Sequence, residues 1–403
     1  MVIGRLLGAA FLICFGTGIY SHFLQEPLPW MVFLTRPIWL YQLSQGIHIT
    51  AGILCFPLLF AKLYTVFPEL FRTPPVRSFP HFLERASIAL FVAASLMQIA
   101  TGLLNRYQWY ELFPFPFRQT HFALSFVIIG SLAIHIAVKL PAINQYWLKK
   151  NSYEADGVTL VPATSPHIST SPESTEHDTT GSDQPHRGLT GRVVRWIEQT
   201  PQPAPRTSRR GFLTIVGVAS AAVVTLTAGQ SFKLFDATNI FGPRKQGTGP
   251  ASLPVNRTAE AAKVTISANA ANWMLTLSNG DVSRTFSRDD LLALPQHTVD
   301  LPIACVEGWS QMATWTGVRL RDLADSVDAP AGASLRAISL EQKSSYAKTT
   351  VGPEYVRDEL TLVALTLNGE TLDIDHGYPA RLIAPGRPGV MQTKWLSSLE
   401  VLA

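Results

Sequence analysis

"LPIACVEGWSQMATWTGVRL", Leu301 to Leu320, holds the only cysteine in the last third of the chain, Cys305. A strand-like apolar run precedes it, and Glu307, Gly308 and Trp309 follow as a turn. A single thiol so placed is either a buried small hydrophobe or a metal ligand or nucleophile. Around it, from about residue 250 to the end, the pattern is globular. "WMLTLS", "TVDLPIAC", "LRAISL", "LTLVALTLNG" and "ARLIAPG" read as strands, punctuated by turns such as "SNGD", "NGE" and "DHGYP". "SRDDLLALP" and "RLRDLADSV" read as short helices with acidic starts. Residues 250–403 are thus expected to form one α+β domain with its own core.

The rest of the chain is written for lipid. Of 403 residues, 47% are hydrophobic and only 15% charged, and the mean hydropathy is positive. Apolar stretches near 5–23, 40–61, 84–104 and 119–139 approach or exceed the ~20 helical residues that cross a bilayer. They predict a four-helix transmembrane domain over 1–150, bordered by Trp30, Trp39, Tyr41, Trp109, Tyr110 and Trp147 as interfacial aromatics. Cys14 and Cys55 lie in these runs, so no disulfide framework or paired-cysteine metal spacing exists. Lys62, Arg72, Arg77 and Arg85 crowd the loop between spans two and three, which puts both ends of the bundle in the cytoplasm. A net charge of +4, spread along membrane flanks, argues against nucleic acid as a partner. Residues 151–207, with "ATSPHISTSPESTEHDTTGSDQP", read as a disordered cytoplasmic linker, within which Gly191–Gln199 could form a short basic surface helix. At 208–230, Arg209 and Arg210 precede a mild apolar stretch, either a twin-arginine export signal or an ordinary fifth span. Both readings place the last domain outside the cytoplasm.

Two spaced motifs, "LPIACVEGWSQMATWTGVRLRDL" and "DHGYPARLIAPGRPGVMQTKWLSSLEV", resemble the molybdopterin-binding domain of the sulfite oxidase superfamily. The layout is similar to bacterial membrane-bound members. The resemblance implies a molybdenum–molybdopterin oxidoreductase in which Cys305 is the catalytic residue and the molybdenum ligand. A thiolate is a soft donor suited to a transition metal, and one suffices where a dithiolene supplies the other sulfurs. The resemblance also places Arg381 and Lys394 near the pterin phosphate, with Gln392 and Thr393, and makes Asn256, Arg257 and His376 cofactor contacts. The plainer readings are surface charges for Arg381 and Lys394, a turn residue for His376 and a helix cap for Asn256. Trp309 and Trp315 are expected to pack around the pocket, and Tyr346 to be structural or to face substrate. Vertebrate and plant sulfite oxidases continue into an immunoglobulin-like dimerisation domain, whereas this sequence ends at Ala403. The expectation is therefore a chain nearer the export-type methionine sulfoxide reductases.

Ionisable residues within spans are functional candidates. His48 lies in span two, and His121 and His135 in span four, 14 residues apart and so about 21 Å along one face. His48 and His121, near the outer end, could ligate a haem b, with Gly46 and Gly52 leaving room for a flat ring. His135 is also a candidate ligand of haem iron, for a second haem, and its only obvious partner is His81. The expected function is oxygen-atom transfer on a small oxyanion, sulfoxide or N-oxide, with electrons exchanged with the quinone pool through membrane haem, in a bacterial cytoplasmic membrane. The alternatives are a molybdenum enzyme with the bundle as a plain lipid anchor, and a non-catalytic membrane binding or sensor protein.

Overall fold

Helix α1 (Val2–Gln25), α2 (Leu40–Leu70), α3 (Phe79–Tyr107) and α4 (Phe117–Tyr146) open the chain, and α5 (Arg209–Thr227) follows. The structure, a computed structural model, describes residues 2–70, 78–112, 115–146 and 208–402. The expected linker at 151–207, with its short basic helix, lies outside the described residues. Among the described residues, five helices are long and apolar enough to cross a membrane. They carry large apolar side chains on their outer surfaces, such as Leu12, Phe56, Phe60 and Val218, as lipid-facing helices do. Helix α3 has defined ends. Ser78 Oγ accepts from His81 N, and the chain leaves through Gln108 in the left-handed region at φ 61°. That exit aims the Gln108 side chain at the C-terminal domain.

The C-terminal domain is a two-sheet α+β structure. Its strands are β1 (Leu275–Asn279), β2 (Val282–Phe286), β3 (His297–Ala304), β4 (Ser310–Arg319), β5 (Ser334–Ser339), β6 (Lys348–Val351), β7 (Leu362–Leu367), β8 (Glu370–Thr371), β9 (Arg381–Ile383) and β10 (Leu396–Leu402). One sheet has the order β2-β1-β10-β5-β6, with β1 parallel to β10. The other runs β3-β4-β7-β8, with β9 also on β7. Alternate residues of the first sheet, including Leu275, Leu277, Leu335 and Leu399, meet Val318, Val363, Leu365 and Leu382 of the second in the main core. The other face of the second sheet buries Leu301, Ile303, Trp315, Leu362 and Ile383 in a second cluster with Cys305. Strand β7, covered on both faces, is accordingly almost continuously apolar. The short helix Arg288–Ala293 begins with a capping box between Ser287 and Asp290.

Contacts divide the chain into two units: residues 2–135 with 220–403, and 136–219. In the second unit the structure describes only helical turns of α4 and α5, flanking Ser208. The first unit joins the bundle to the C-terminal domain. Arg36, between α1 and α2, pairs with Asp358 at 2.8 Å, and Tyr346 donates to Gln25 Oε1 at 2.7 Å. The domain therefore meets the bundle at the end where α1 and α3 finish and α2 and α4 begin.

Candidate active site

Strand β3 delivers Cys305 to a five-residue turn. Cys305 N donates to Trp309 O and Gly308 N to Cys305 O, both at 2.9 Å. The reversal places Gly308 at φ 91°, where a side chain is strained. A Cβ there would also lie 2.5 Å from Ile49 Cγ1 of α2. The turn is thus seated on the bundle. Val306 O accepts from Gln45 at 3.2 Å and Asn105 at 3.4 Å, and Glu307 O from Gln230 at 3.1 Å. Ser231 Oγ donates to Gly308 O, and Gln108 Nε2 to the Glu307 carboxylate. Replacing Gly308 by Ala should cost about 1–2 kcal/mol from backbone strain plus the displacement of Ile49. Gly280→Ala, at φ 56° in open space, should show the strain alone; thermal melts in detergent compare the two.

Cys305 is 1% exposed. Burial, and then the charge of Glu307, hold its thiol well above the ordinary range, while Lys394 and Arg244 pull it down. A bare thiolate is disfavoured there, and a bound metal would reverse that balance.

Val306 and Glu307 border a cavity of about 1800 Å³. On the domain side it is lined by Asn256, Arg257, Gln392, Thr393 and Lys394, so five of the seven residues expected at a cofactor come together. Lys394 Nζ donates to Arg257 O at 2.9 Å and Asp375 O at 2.7 Å. Burial, followed by Arg381, lowers its ammonium to about 7. Arg257 Nε pairs with Glu341 at 2.6 Å. Thr393 Oγ1 lies 2.9 Å from Thr349 Oγ1, and Asn256 O accepts from Gln108 at 2.6 Å. Asn256 is no helix cap; Thr258 fills that position for Ala259–Ala262.

His376 and Arg381 stand behind the cavity rather than in its lining. His376 Nε2 lies 3.0 Å from Pro250 O and 3.1 Å from Leu253 O. Both partners only accept, so Nε2 carries the proton; burial, then Arg381 and Lys394, lowers the imidazole to about 4. The histidine thus fastens the 250–253 segment. Arg381 donates to His376 O at 3.2 Å and lies 5.3 Å from the Trp315 ring centre. Burial lowers its guanidinium to about 9.

These groups fit an anionic, polar cofactor. Arg381 Nε and Gln392 Oε1 are buried without a hydrogen-bond partner, and Lys394 is a buried cation. A phosphate would be held best while Lys394 is charged. Its affinity should therefore be greatest below about pH 7 and fall by up to ~10-fold per pH unit above it, until the bound-state value is reached. Lys394→Gln should flatten the dependence. Pterin fluorescence retained after dialysis from about pH 6 to about pH 9 measures it.

Several lining residues were not expected. Arg244 and Lys245 come from "GPRKQGTGP" (Gly242–Pro250), between the fifth helix and the first strands; a basic pair between Gly and Pro residues was the available signal. Gln108 carried none, and Glu307 lies within the Cys305 motif. Tyr346 lines the cavity with its hydroxyl on Gln25, whereas Trp309 and Trp315 are buried packing.

The same cavity continues into the bundle, where His48 and His121 line it. Their ring centres are 6.3 Å apart. His48 Nδ1 lies 3.0 Å from both Cys14 O and Thr17 Oγ1. His121 Nδ1 lies 3.1 Å from Thr101 Oγ1, which also reaches Met97 O at 2.9 Å. Cys14 O only accepts, so His48 Nδ1 is a donor and its Nε2 keeps its lone pair. The room beside these rings comes from Gly18 and Gly102, where a Cβ would lie 3.2 Å from His48 Cε1 and 3.5 Å from His121 Cε1. The expectation for Gly46 is corrected: Phe232 fills that space, its Cζ 2.5 Å from where a Cβ would be. Gly52 lines the cavity but faces Cys14 Sγ. His135 is not in the lining. Among the described residues no three His, Cys, Asp or Glu side chains cluster as a metal site.

Residues 261–403 match the family described as oxidoreductase molybdopterin binding domain. The sulfite oxidase of Arabidopsis thaliana is 29% identical over 147 residues, covering 28% of this chain and 37% of that protein. The protein-methionine-sulfoxide reductase catalytic subunit MsrP of Campylobacter jejuni is 28% identical over 148 residues, covering 33% of this chain and 50% of that protein. The putative protein-methionine-sulfoxide reductase subunit YedZ1 of Azospira oryzae is 30% identical over 143 residues, with the same two coverages, 33% and 50%. The chain spans half or less of the length of these relatives. The two-sheet domain with its buried cysteine turn is a molybdopterin-binding oxidoreductase domain. Within that class it belongs to the sulfite oxidase superfamily.

Proposed function

We propose that this chain is a membrane-anchored molybdenum oxidoreductase that moves an oxygen atom to or from a small substrate outside the cytoplasm, exchanging electrons with the quinone pool through haem b in its bundle. The observation that carries this reading is the single cavity lined by Lys394 at one end and by His48 and His121 at the other. Lys394, Thr393, Gln392, Asn256 and Arg257 would hold the phosphate-bearing pterin, and Cys305 the metal. Arg381 and His376 support that wall from behind. His48 and His121 would hold the haem. The two rings line one cavity with their centres 6.3 Å apart. Donation of the His48 Nδ1–H to the carbonyl of Cys14 is the usual support of a ligating histidine. When bound, the molybdenum centre supplies oxygen-atom transfer and the haem one-electron exchange.

The chain's own part is orientation and exclusion of water. The Cys305 turn is pinned to α2, α3 and the 230–231 segment by five backbone carbonyl and carboxylate contacts. The domain sits at the bundle end opposite Lys62 and Arg85, which by the positive-inside rule is the outer side. Arg209 and Arg210 at the start of α5 suit either a twin-arginine signal or a basic flank. The names of two relatives refer to sulfite and to methionine sulfoxide, which favours a sulfur–oxygen bond as the target; an N-oxide is the other class.

The second reading keeps the enzyme and makes the bundle a plain anchor. Purified protein should be assayed for molybdenum, for a reduced-minus-oxidised b-type band, and with sulfite, methionine sulfoxide and an amine N-oxide using artificial dyes in both redox directions. Absence of molybdenum overturns the enzyme; molybdenum with turnover but no b-type band leaves the anchor.

A further inference from the structure

Two arginines line the junction of the cavity with no carboxylate bonded to either among the described residues. Arg106, on α3, is 3% exposed. Its Nη2 donates to Thr227 O at 2.5 Å, and its Nε is buried without a partner. Arg244 comes from the segment after α5. Its Nη2 donates to Gln108 Oε1 at 3.1 Å and its Nη1 to Pro243 O at 3.4 Å, while its Nε is also buried and unpartnered. Glu307 acts on Arg244 only through space. A buried guanidinium with neutral partners, as at Arg106, is costly unless an anion completes it; Arg244 is half-buried.

Position selects the anion. Arg106 is one helical turn beyond Gly102, the residue against which His121 lies. The phosphate ligands Thr393 and Lys394 belong to the domain side. Thr227 covers Arg106, which disfavours a lipid headgroup. A guanidinium fork matches a carboxylate in shape and charge.

We propose that Arg106 and Arg244 form a dicarboxylate site that holds the two propionate side chains of the haem between His48 and His121. The charged edge of the haem then faces the molybdopterin domain. This rests on the haem reading above. The two cations favour the reduced iron, which carries one positive charge fewer, and so raise the haem potential.

The test is redox titration of the b-type band in detergent-purified full-length protein, with haem and molybdenum content measured for each variant. Arg106→Gln and Arg244→Gln should each lower the midpoint potential, the double variant should lower it further, and Arg106→Lys should restore part of the shift. Molybdenum content should stay at the parental level. Should Arg106→Gln fail to accumulate, Arg244→Gln, outside the helices, decides alone. Parental potential and full haem in both Gln variants overturn the proposal. So does a fall in molybdenum with an unmoved potential, which would assign the arginines to the pterin phosphate. A parental protein without any b-type band overturns the haem reading and this site with it.

Discussion

Cys305→Ala should leave the C-terminal domain folded and remove its molybdenum chemistry. The thiol sits in a cluster with Leu301, Ile303, Trp309 and Trp315, so truncation opens a cavity of one sulfur atom and costs about 1 kcal/mol. The turn survives, because Cys305 holds it through backbone N and O. Activity should fall far more. Loss of groups that merely support a metal ligand costs about 10–100-fold, and loss of the ligand itself should exceed the upper end. Cys305→Ser should keep the packing and still fail, since oxygen is a harder donor than sulfur. Melting temperature, molybdenum content and dye-linked turnover separate stability from chemistry. A Cys305→Ala protein with parental metal and turnover would sink the assignment.

His121→Leu should abolish the b-type band while sparing the other end of the cavity. Leucine occupies a similar space but offers no Nε2, and one imidazole cannot hold the haem from both faces. Thr101 keeps its bond to Met97 O, so α3 loses no backbone contact. Molybdenum content and turnover with artificial donors should match the parent, and quinol-driven turnover should drop to background. His48→Leu should behave alike. His135→Leu should retain the band, because that residue lies outside the cavity lining. A band that persists in both His48→Leu and His121→Leu would end the haem proposal.

The proposed electron route is short in structural terms. The turn bearing Cys305 touches Ile49, the residue after His48, and is bonded to Gln45 one turn earlier. Any variant that lifts this turn, Gly308→Ala among them, should slow transfer between the two ends more than it alters either end.

Much of this was legible along the chain. The membrane helices are long apolar runs, and such composition needs no tertiary partner to be read; the helices extend beyond the runs, α2 reaching Leu70. Strands β1, β3, β5, β7 and β9 stood out because one or both faces are buried and apolar. Strand β4 did not: it mixes buried Trp315 and Val318 with Gln311, Thr314 and Thr316, and its pairing with β3 and β7 supplies what its composition lacks. Cys305 and Lys394 were singled out through spaced motifs, a local property.

What only the tertiary structure decided is which groups share a space. Arg244, Gln108 and Glu307 are far apart in sequence and share no motif, yet hydrogen bonds join them at one junction. His376 and Arg381 belong to a motif but are turned to the wall, because two carbonyls and Trp315 claim them. Gly46 had to be exchanged for Gly18 and Gly102 because a phenylalanine from beyond α5 fills its side. Sequence alone determined the membrane helices, the domain type and the thiol. Packing decided the continuous cavity, since a void is defined by what several distant segments leave unfilled.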